Sequence, residues 1–157
     1  MSDRSLQETY APHARCFGCG PANERGLRIR SFAAAPTADA HVTLDFTPEL
    51  HHEAFENVLN GGIIGTLLDC HMNWTAIHHF MRSRGLDHAP TSVTAEFKVV
   101  FKRPTPLGPI HIDAHVVSVT GDKAQVEATL SANGKDTALG YGMFVAVKPG
   151  HPAYHRW

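Results

Sequence analysis

Residues 57–81 read NVLNGGIIGTLLDCHMNWTAIHHFM and hold a single acid, Asp69, with no other Asp, Glu, Lys or Arg. From residue 63 to 81, apolar side chains recur at helical spacing. Ile63, Leu67, Cys70, Trp74, Ile77 and Met81 form one stripe, with Ile64 and Leu68 beside it. The pattern predicts a helix over 63–81 that is apolar nearly all round, and such a helix has to be buried. A flat sheet on one side leaves much of it in water. Either the sheet curls around it, or a second copy of the chain covers what the sheet does not.

The flanking segments supply the sheet. Residues 27–32 (LRIRSF) and 41–46 (HVTLDF) alternate as half-buried strands do, and residues 47–57 read as a polar loop with space for one helical turn. Residues 82–90 are a breaker-rich loop. Beyond them lie SVTAEFKVVFKR, PIHIDAHVVSVT, KAQVEATLSAN and DTALGYGMFVAV, rich in Val, Thr and Phe and largely alternating. The connectors PTPLG, GD and GK are tight, which predicts antiparallel hairpins or a meander. Two strands, one long helix and four strands make an α+β fold, an antiparallel sheet wrapped around one long central helix. At 157 residues this is one domain spanning 1–157, with residues 1–25 as a polar arm and loop.

Charge narrows the partners. A formal net charge of −1 gives no broad footprint for nucleic acid or anionic membrane. No apolar run is long enough to span a bilayer, and MSDRSLQETYAPHARC has no signal-peptide core. The expectation is a cytoplasmic protein whose three cysteines, Cys16, Cys19 and Cys70, stay reduced. Cys16 and Cys19 form one Cys-x2-Cys pair near His13. A structural zinc site takes four ligands, usually from two such pairs, so the pair reads as a loop with free thiols, and neither a metal nor a cofactor is expected. Cys70 lies on the apolar stripe and reads as a small buried hydrophobe. His71 and His78 share a helix face and read as polar groups at a core edge or pocket, and Trp74 and Phe80 read as core.

Asp69 is the candidate for chemistry. Its neighbours on the helix surface are Gly62, Gly65, Thr66, Met72, Asn73 and Ala76, a face packed against something close and not one washed by water. A buried carboxylate needs a partner or a purpose. A structural hydrogen bond to Thr66 or Asn73 competes with a catalytic role. Gly61 and Gly62 precede the helix, where unpaired N–H groups and a partial positive charge suit a developing oxyanion. A plain tight turn is the competing reading of the pair. At 1.5 Å per residue the eight positions from Gly61 to Asp69 span about 12 Å along a helix, too far for one reacting carbonyl. Acting together, they must come from two copies, and the site then lies at a two-fold interface with two equivalent sites per dimer.

These residues resemble a known family. Asn60-Gly-Gly-x6-Asp69, the strand and turn SVTAEFKVVFKRPTPLG, and the opening CFGCGPANERGLRIR resemble the hotdog-fold thioesterases of the PaaI-like acyl-CoA thioesterase group. The resemblance covers nearly the whole chain, in order. It implies a hotdog fold and hydrolysis of an acyl-CoA to the free acid and CoA, with Asp69 as general base or nucleophile. It further implies that the Gly61 N–H polarises the thioester carbonyl, that Gly62 helps build that turn, and that Thr94 positions the attacking water. Lys102 and Arg103 fall where basic residues in such folds meet CoA phosphates. Where the family usually has His before the glycines this chain has Asn60, which can hold the loop by local hydrogen bonds. Where it often has a second acid after the first, this chain has Cys70.

Two other functions stay open on sequence. A hotdog hydratase or dehydratase pairs an acid with a histidine, and His71 projects about 200° from Asp69 around a helix, which disfavours that pair. A non-catalytic acyl-CoA-binding domain is the third. The acyl group is not written in the sequence, nor is the choice between a dimer and a tetramer of dimers.

Overall fold

The structure, a computed structural model, describes residues 3–156. A short helix, α1 (Leu6–Tyr10), opens the chain, followed by strands β1 (Phe32–Ala33), β2 (Val42–Phe46), β3 (Glu53–Phe55) and β4 (Val58–Leu59). The central helix α2 runs Gly61–Arg84, and β5 (Ser92–Phe101), β6 (Ile110–Thr120), β7 (Lys123–Ala132) and β8 (Lys135–Ala146) complete the fold. Asn60 starts α2 from an extended backbone. Its side-chain oxygen accepts the N–H groups of Gly62 at 2.8 Å and Ile63 at 3.1 Å, two donors that a first turn leaves unpaired. Gly85, at a left-handed φ of 64°, ends it. No helix among the described residues is long and apolar enough to cross a membrane.

Six strands form one antiparallel sheet in the order β1-β2-β6-β7-β8-β5, and β3 pairs with β4 separately. Large side chains on α2, including Leu67, Met72, Trp74, Ile77, Phe80 and Met81, are buried against it. The sheet meets them in part with small residues, Ala124, Ala128 and Ala132 on β7 and Ala138 and Gly140 on β8, set between larger ones such as Val126, Leu130 and Phe144. A Cβ at Gly140 would stand 3.1 Å from the Met72 methyl carbon. Bulk on the helix therefore fills space that the sheet leaves. Each of these large side chains is worth about 1.5–3 kcal/mol when fully buried.

The structure departs from the sequence expectations in four places. The polar loop expected over 47–57 includes strand β3, which pairs with β4 and so is not irregular throughout. Residues 1–25 are more than an arm and loop, since they include α1, capped by a Ser5–Glu8 box, with Leu6 and Gln7 buried. The strand expected over 27–32 shrinks to Phe32–Ala33. Arg28 has a φ of 55°, which breaks an extended run, and the backbone of 27–31 pairs with the N-terminal segment instead: Leu27 N–H to Phe17 O, Ile29 N–H to Gly18 O, Ser31 N–H to Gln7 Oε1. The PTPLG connector does not make a hairpin. β5 pairs with β8, β6 lies between β2 and β7, and the connector pairs at Pro106 with Val58 while Thr105 O accepts the Leu59 N–H. The other two connectors do close hairpins; Asn133 and Gly134 both adopt positive φ, as the two-residue turn between β7 and β8 requires.

A buried polar chain ties the N-terminal segment to α2. Gln7 Nε2 donates to Ser31 Oγ at 2.9 Å, Ser31 Oγ to His71 Nδ1 at 2.8 Å, and His71 Nε2 to the Val42 carbonyl at 2.9 Å. That carbonyl fixes the tautomer. His71 is wholly buried, and burial lowers its pKa to about 4.

His78, two turns further along the same helix face, is 1 % exposed, and burial, then the nearby Arg82 charge, lowers its pKa to about 4 from 6.5. Between those values the unfolded chain takes up the proton and the folded chain does not. Stability present at neutral pH should therefore drain away as pH falls from about 6.5 to about 4, by on the order of 3 kcal/mol from this group. Urea unfolding at pH 7 and pH 4.5 should show the loss, and His78→Gln should show a shallower one. An equal slope in the variant would remove His78 as its source.

Candidate active site

Asp69 is in the third turn of α2, and Thr94 is on β5 opposite it. The Thr94 hydroxyl donates to Asp69 Oδ1 at 2.7 Å. The β5–β8 register shifts between Thr94 and Glu96, a bulge that re-aims side chains locally. Burial raises the Asp69 pKa, the Thr94 hydrogen bond offsets part of the rise, and Cys16 adds to it. The pair lines a cavity of about 430 Å³ that Cys16, Cys19, Cys70, Asn73, Trp74, Ser92 and Val93 also wall. Asn73 Nδ2 donates to the Ser92 carbonyl at 3.2 Å, while Asn73 Oδ1 and Ser92 Oγ are buried without a partner among the described residues. The cavity thus offers a carboxylate and an oriented hydroxyl within a largely apolar wall, with Arg15 and Arg156 also on its lining.

The N-terminal segment builds one side of that wall. Residues 16–20 turn tightly, with the Gly20 N–H bonded to the Cys16 carbonyl at 2.8 Å, and press on α2 at Gly18. A Cβ there would fall 2.4 Å from Cys70 Sγ and 2.9 Å from Thr66 Cγ2. This brings three thiols together, so Cys70 is not the isolated small hydrophobe its place on the stripe predicts. The Cys19 and Cys70 thiols and the backbone N–H groups of Cys19 and Gly18 hold the Cys16 thiol well below its ordinary range, while Cys19 and Cys70 are pushed up.

The remaining expected site residues collect at the start of α2, about two turns before Asp69. Gly61 and Gly62 are exposed, and the Asn60 cap occupies the N–H groups of Gly62 and Ile63 but not that of Gly61. The Phe101 ring stands 3.4 Å from where a Gly61 Cβ would be. Lys102 and Arg103 follow Phe101 directly and are exposed. β5 is an edge of the sheet, with Phe97 43 % and Phe101 56 % exposed along it. Within one chain, then, Asp69 and Thr94 come together, Gly61, Lys102 and Arg103 come together, and the two groups stay apart.

His71 takes no part in the Asp69 cavity, since both its ring nitrogens are used in the buried chain to Ser31 and Val42. Sequence reasoning missed Ser92 and the cysteine loop as cavity walls. Asn73 was visible as the residue one turn beyond Asp69; the others reach the cavity only through tertiary packing.

Residues 56–138, more than half the chain, match the family model described as Thioesterase superfamily. No curated protein matches. Among solved structures, a thioesterase superfamily protein from Shewanella loihica PV-4 is 26% identical with a TM-score of 0.64, over 82% of this chain and 98% of its own. The E. coli PaaI protein from the phenylacetic acid degradation operon is 17% identical with a TM-score of 0.61, over 78% of this chain and 81% of its own. A Streptococcus mutans UA159 protein bound to acetyl CoA is 16% identical with a TM-score of 0.61, over 75% and 89%. At these last two identities the likeness is one of fold.

The close approach at Gly18 carries its own prediction. Gly18→Ala should cost about 1–3 kcal/mol, because neither Cys70 Sγ nor Thr66 Cγ2 is on a side chain long enough to swing clear. Urea unfolding of the variant measures it; a cost near zero would mean that the loop does not hold this position against α2.

Proposed function

Since the chain belongs to the thioesterase superfamily and has its hotdog fold, we propose that it hydrolyses an acyl-CoA thioester, with Asp69 as general base. The observation that carries this reading is the hydrogen bond from Thr94 to Asp69 Oδ1 within the cavity. It fixes the carboxylate and leaves the second oxygen for a water proton. Burial makes the carboxylate a stronger base than an exposed one. Water, having given its proton to Asp69, adds to the thioester carbonyl carbon. The carbonyl oxygen becomes an oxyanion, which the Gly61 N–H and the positive end of α2 stabilise. The C–S bond then breaks, and the CoA sulfur takes the proton from Asp69. Asn60 holds the glycine turn by its cap, Gly62 completes that turn, and Lys102 and Arg103 meet the phosphates of CoA.

Gly61 and Asp69 serve one carbonyl only if they come from two copies. The bare glycine turn and the exposed phenylalanines of edge strand β5 support a two-fold dimer with β5 at its interface. His71, spent on Ser31 and Val42, favours hydrolysis over hydration, which needs a histidine beside the acid.

Release of free CoA thiol across a panel of acyl-CoAs tests the activity. Asp69→Asn keeps the shape and should lower kcat by about 10²–10⁴ while the protein still folds. Thr94→Val should cost less, and in kcat more than in KM, since an orienting group acts in the transition state. Near-normal turnover in Asp69→Asn would remove Asp69 from the reaction.

The shared site has a sharper test. Asp69→Asn and Gly61→Pro homodimers should each be inactive, the latter checked for folding because proline also alters the helix start. Co-refolded in equal amounts, half the dimers are mixed, and each mixed dimer has one intact site of two. The mixture should recover about a quarter of wild-type activity per chain. Heterodimers that form and stay inactive would place Gly61 and Asp69 in one chain's site or in separate roles.

A further inference from the structure

The three cysteines take no step in that reaction, yet packing assembles them. The sulfurs of Cys16, Cys19 and Cys70 all lie within 4.8 Å of one another, with Cys16 and Cys70 at 3.8 Å. Tetrahedral zinc with Zn–S bonds of about 2.3 Å holds neighbouring sulfurs about 3.8 Å apart. The thiols therefore stand near coordination spacing.

Two further features shape this cluster for a cation. Cys16 and Cys19 lie on one tight turn, closed by the Gly20 N–H on the Cys16 carbonyl at 2.8 Å, so both sulfurs come from one short loop. Gly18 is the residue that lets this turn approach Cys70 at all. The cluster also opens on the 430 Å³ cavity, which all three cysteines line, so water has access to it.

We propose that Cys16, Cys19 and Cys70 bind one zinc ion through three thiolates, with a cavity water in its fourth position. Each thiol loses its proton to solvent as its S–Zn bond forms, so binding releases up to three protons and changes no oxidation state. Thiolates select zinc over magnesium or calcium. The ion would fasten the 16–20 turn to α2 directly beside Asp69, and so fix one wall of the cavity.

The test uses the full chain, reduced, freed of metal with a chelator, and titrated with Co²⁺ as a spectroscopic stand-in. We expect saturation at one equivalent, with a near-ultraviolet thiolate-to-cobalt charge-transfer band and intense visible bands of four-coordinate cobalt, all abolished by one equivalent of Zn²⁺. Cys16 is exposed, so Cys16→Ser leaves the packing alone. It should weaken binding at least about tenfold, the loss seen even for groups behind a ligand, and diminish the charge-transfer band. Zinc should raise the thermal midpoint of the wild type by more than that of this variant. His41, Asp113 and His115 also cluster, but offer only nitrogen and oxygen and give no thiolate band. Absence of the band at stoichiometric cobalt, or a band unchanged in Cys16→Ser, would overturn the proposal. No substrate enters the titration, so its failure leaves the hydrolysis reading standing, and a failed thiol-release assay leaves the metal site standing.

Discussion

Everything in this fold answers to the burial of α2. A 24-residue helix with Trp74, Phe80 and Met81 among its buried side chains needs cover on most of its circumference. The sheet provides it by curling, and curling requires small inward residues, which β7 and β8 supply as alanine and glycine. The cover stops short of the first turn. There Gly61 and Gly62 are exposed, although Ile64 behind them is buried, and the side chain nearest Gly61 is Phe101 from an edge strand. One helix thus has a closed half, which stabilises the fold, and an open end, which is free for a ligand or a second chain.

The N-terminal segment is the second consequence. The sheet leaves part of α2 near Cys70 and His71 uncovered, and residues 5–31 close it. The Gln7–Ser31–His71–Val42 chain is what makes this closure specific, because each of its buried polar atoms depends on the next. Removing one partner strands the others, so the segment docks in one register or pays the desolvation of several groups. That register carries the 16–20 turn onto α2 beside Asp69. A segment remote in sequence from the carboxylate therefore decides how deep and how dry the cavity is.

Periodicity made the helix and the four long strands legible, since each buries a face that repeats at 3.6 or 2 residues. It failed where burial was not periodic. The 27–32 segment alternates, but Ile29 and Ser31 turn toward the N-terminal segment and the left-handed Arg28 between its strand-like residues breaks the ladder. Helix α1 is too short to show a period; its signal was the Ser5–Glu8 cap. The connector at 104–108 has turn residues whether it closes a hairpin or crosses the fold, so local chemistry does not distinguish the two. Asp69 stood out because a lone acid in an apolar helix is rare, whereas the thiol cluster joins residues 54 positions apart and exists only after packing.

In the proposed mechanism the acid and the glycine turn serve one reaction, yet they lie at the two ends of the first three helical turns and cannot meet in one chain. The oxyanion needs the start of a helix, where N–H groups are unpaired and the dipole is positive. The base needs the opposite: a place inside, where burial raises its proton affinity and a single hydroxyl orients it. Moving Asp69 to the first turn would give it the positive end of the helix and solvent, and so make it a weaker base. Keeping it in the third turn preserves its basicity and separates it from the N–H by about 12 Å. In the proposed dimer, a two-fold arrangement would resolve the conflict by bringing the start of each helix to the Asp69 of the other. On the proposed mechanism, the separation that disqualifies a single chain is the one that would make two equivalent sites in a pair.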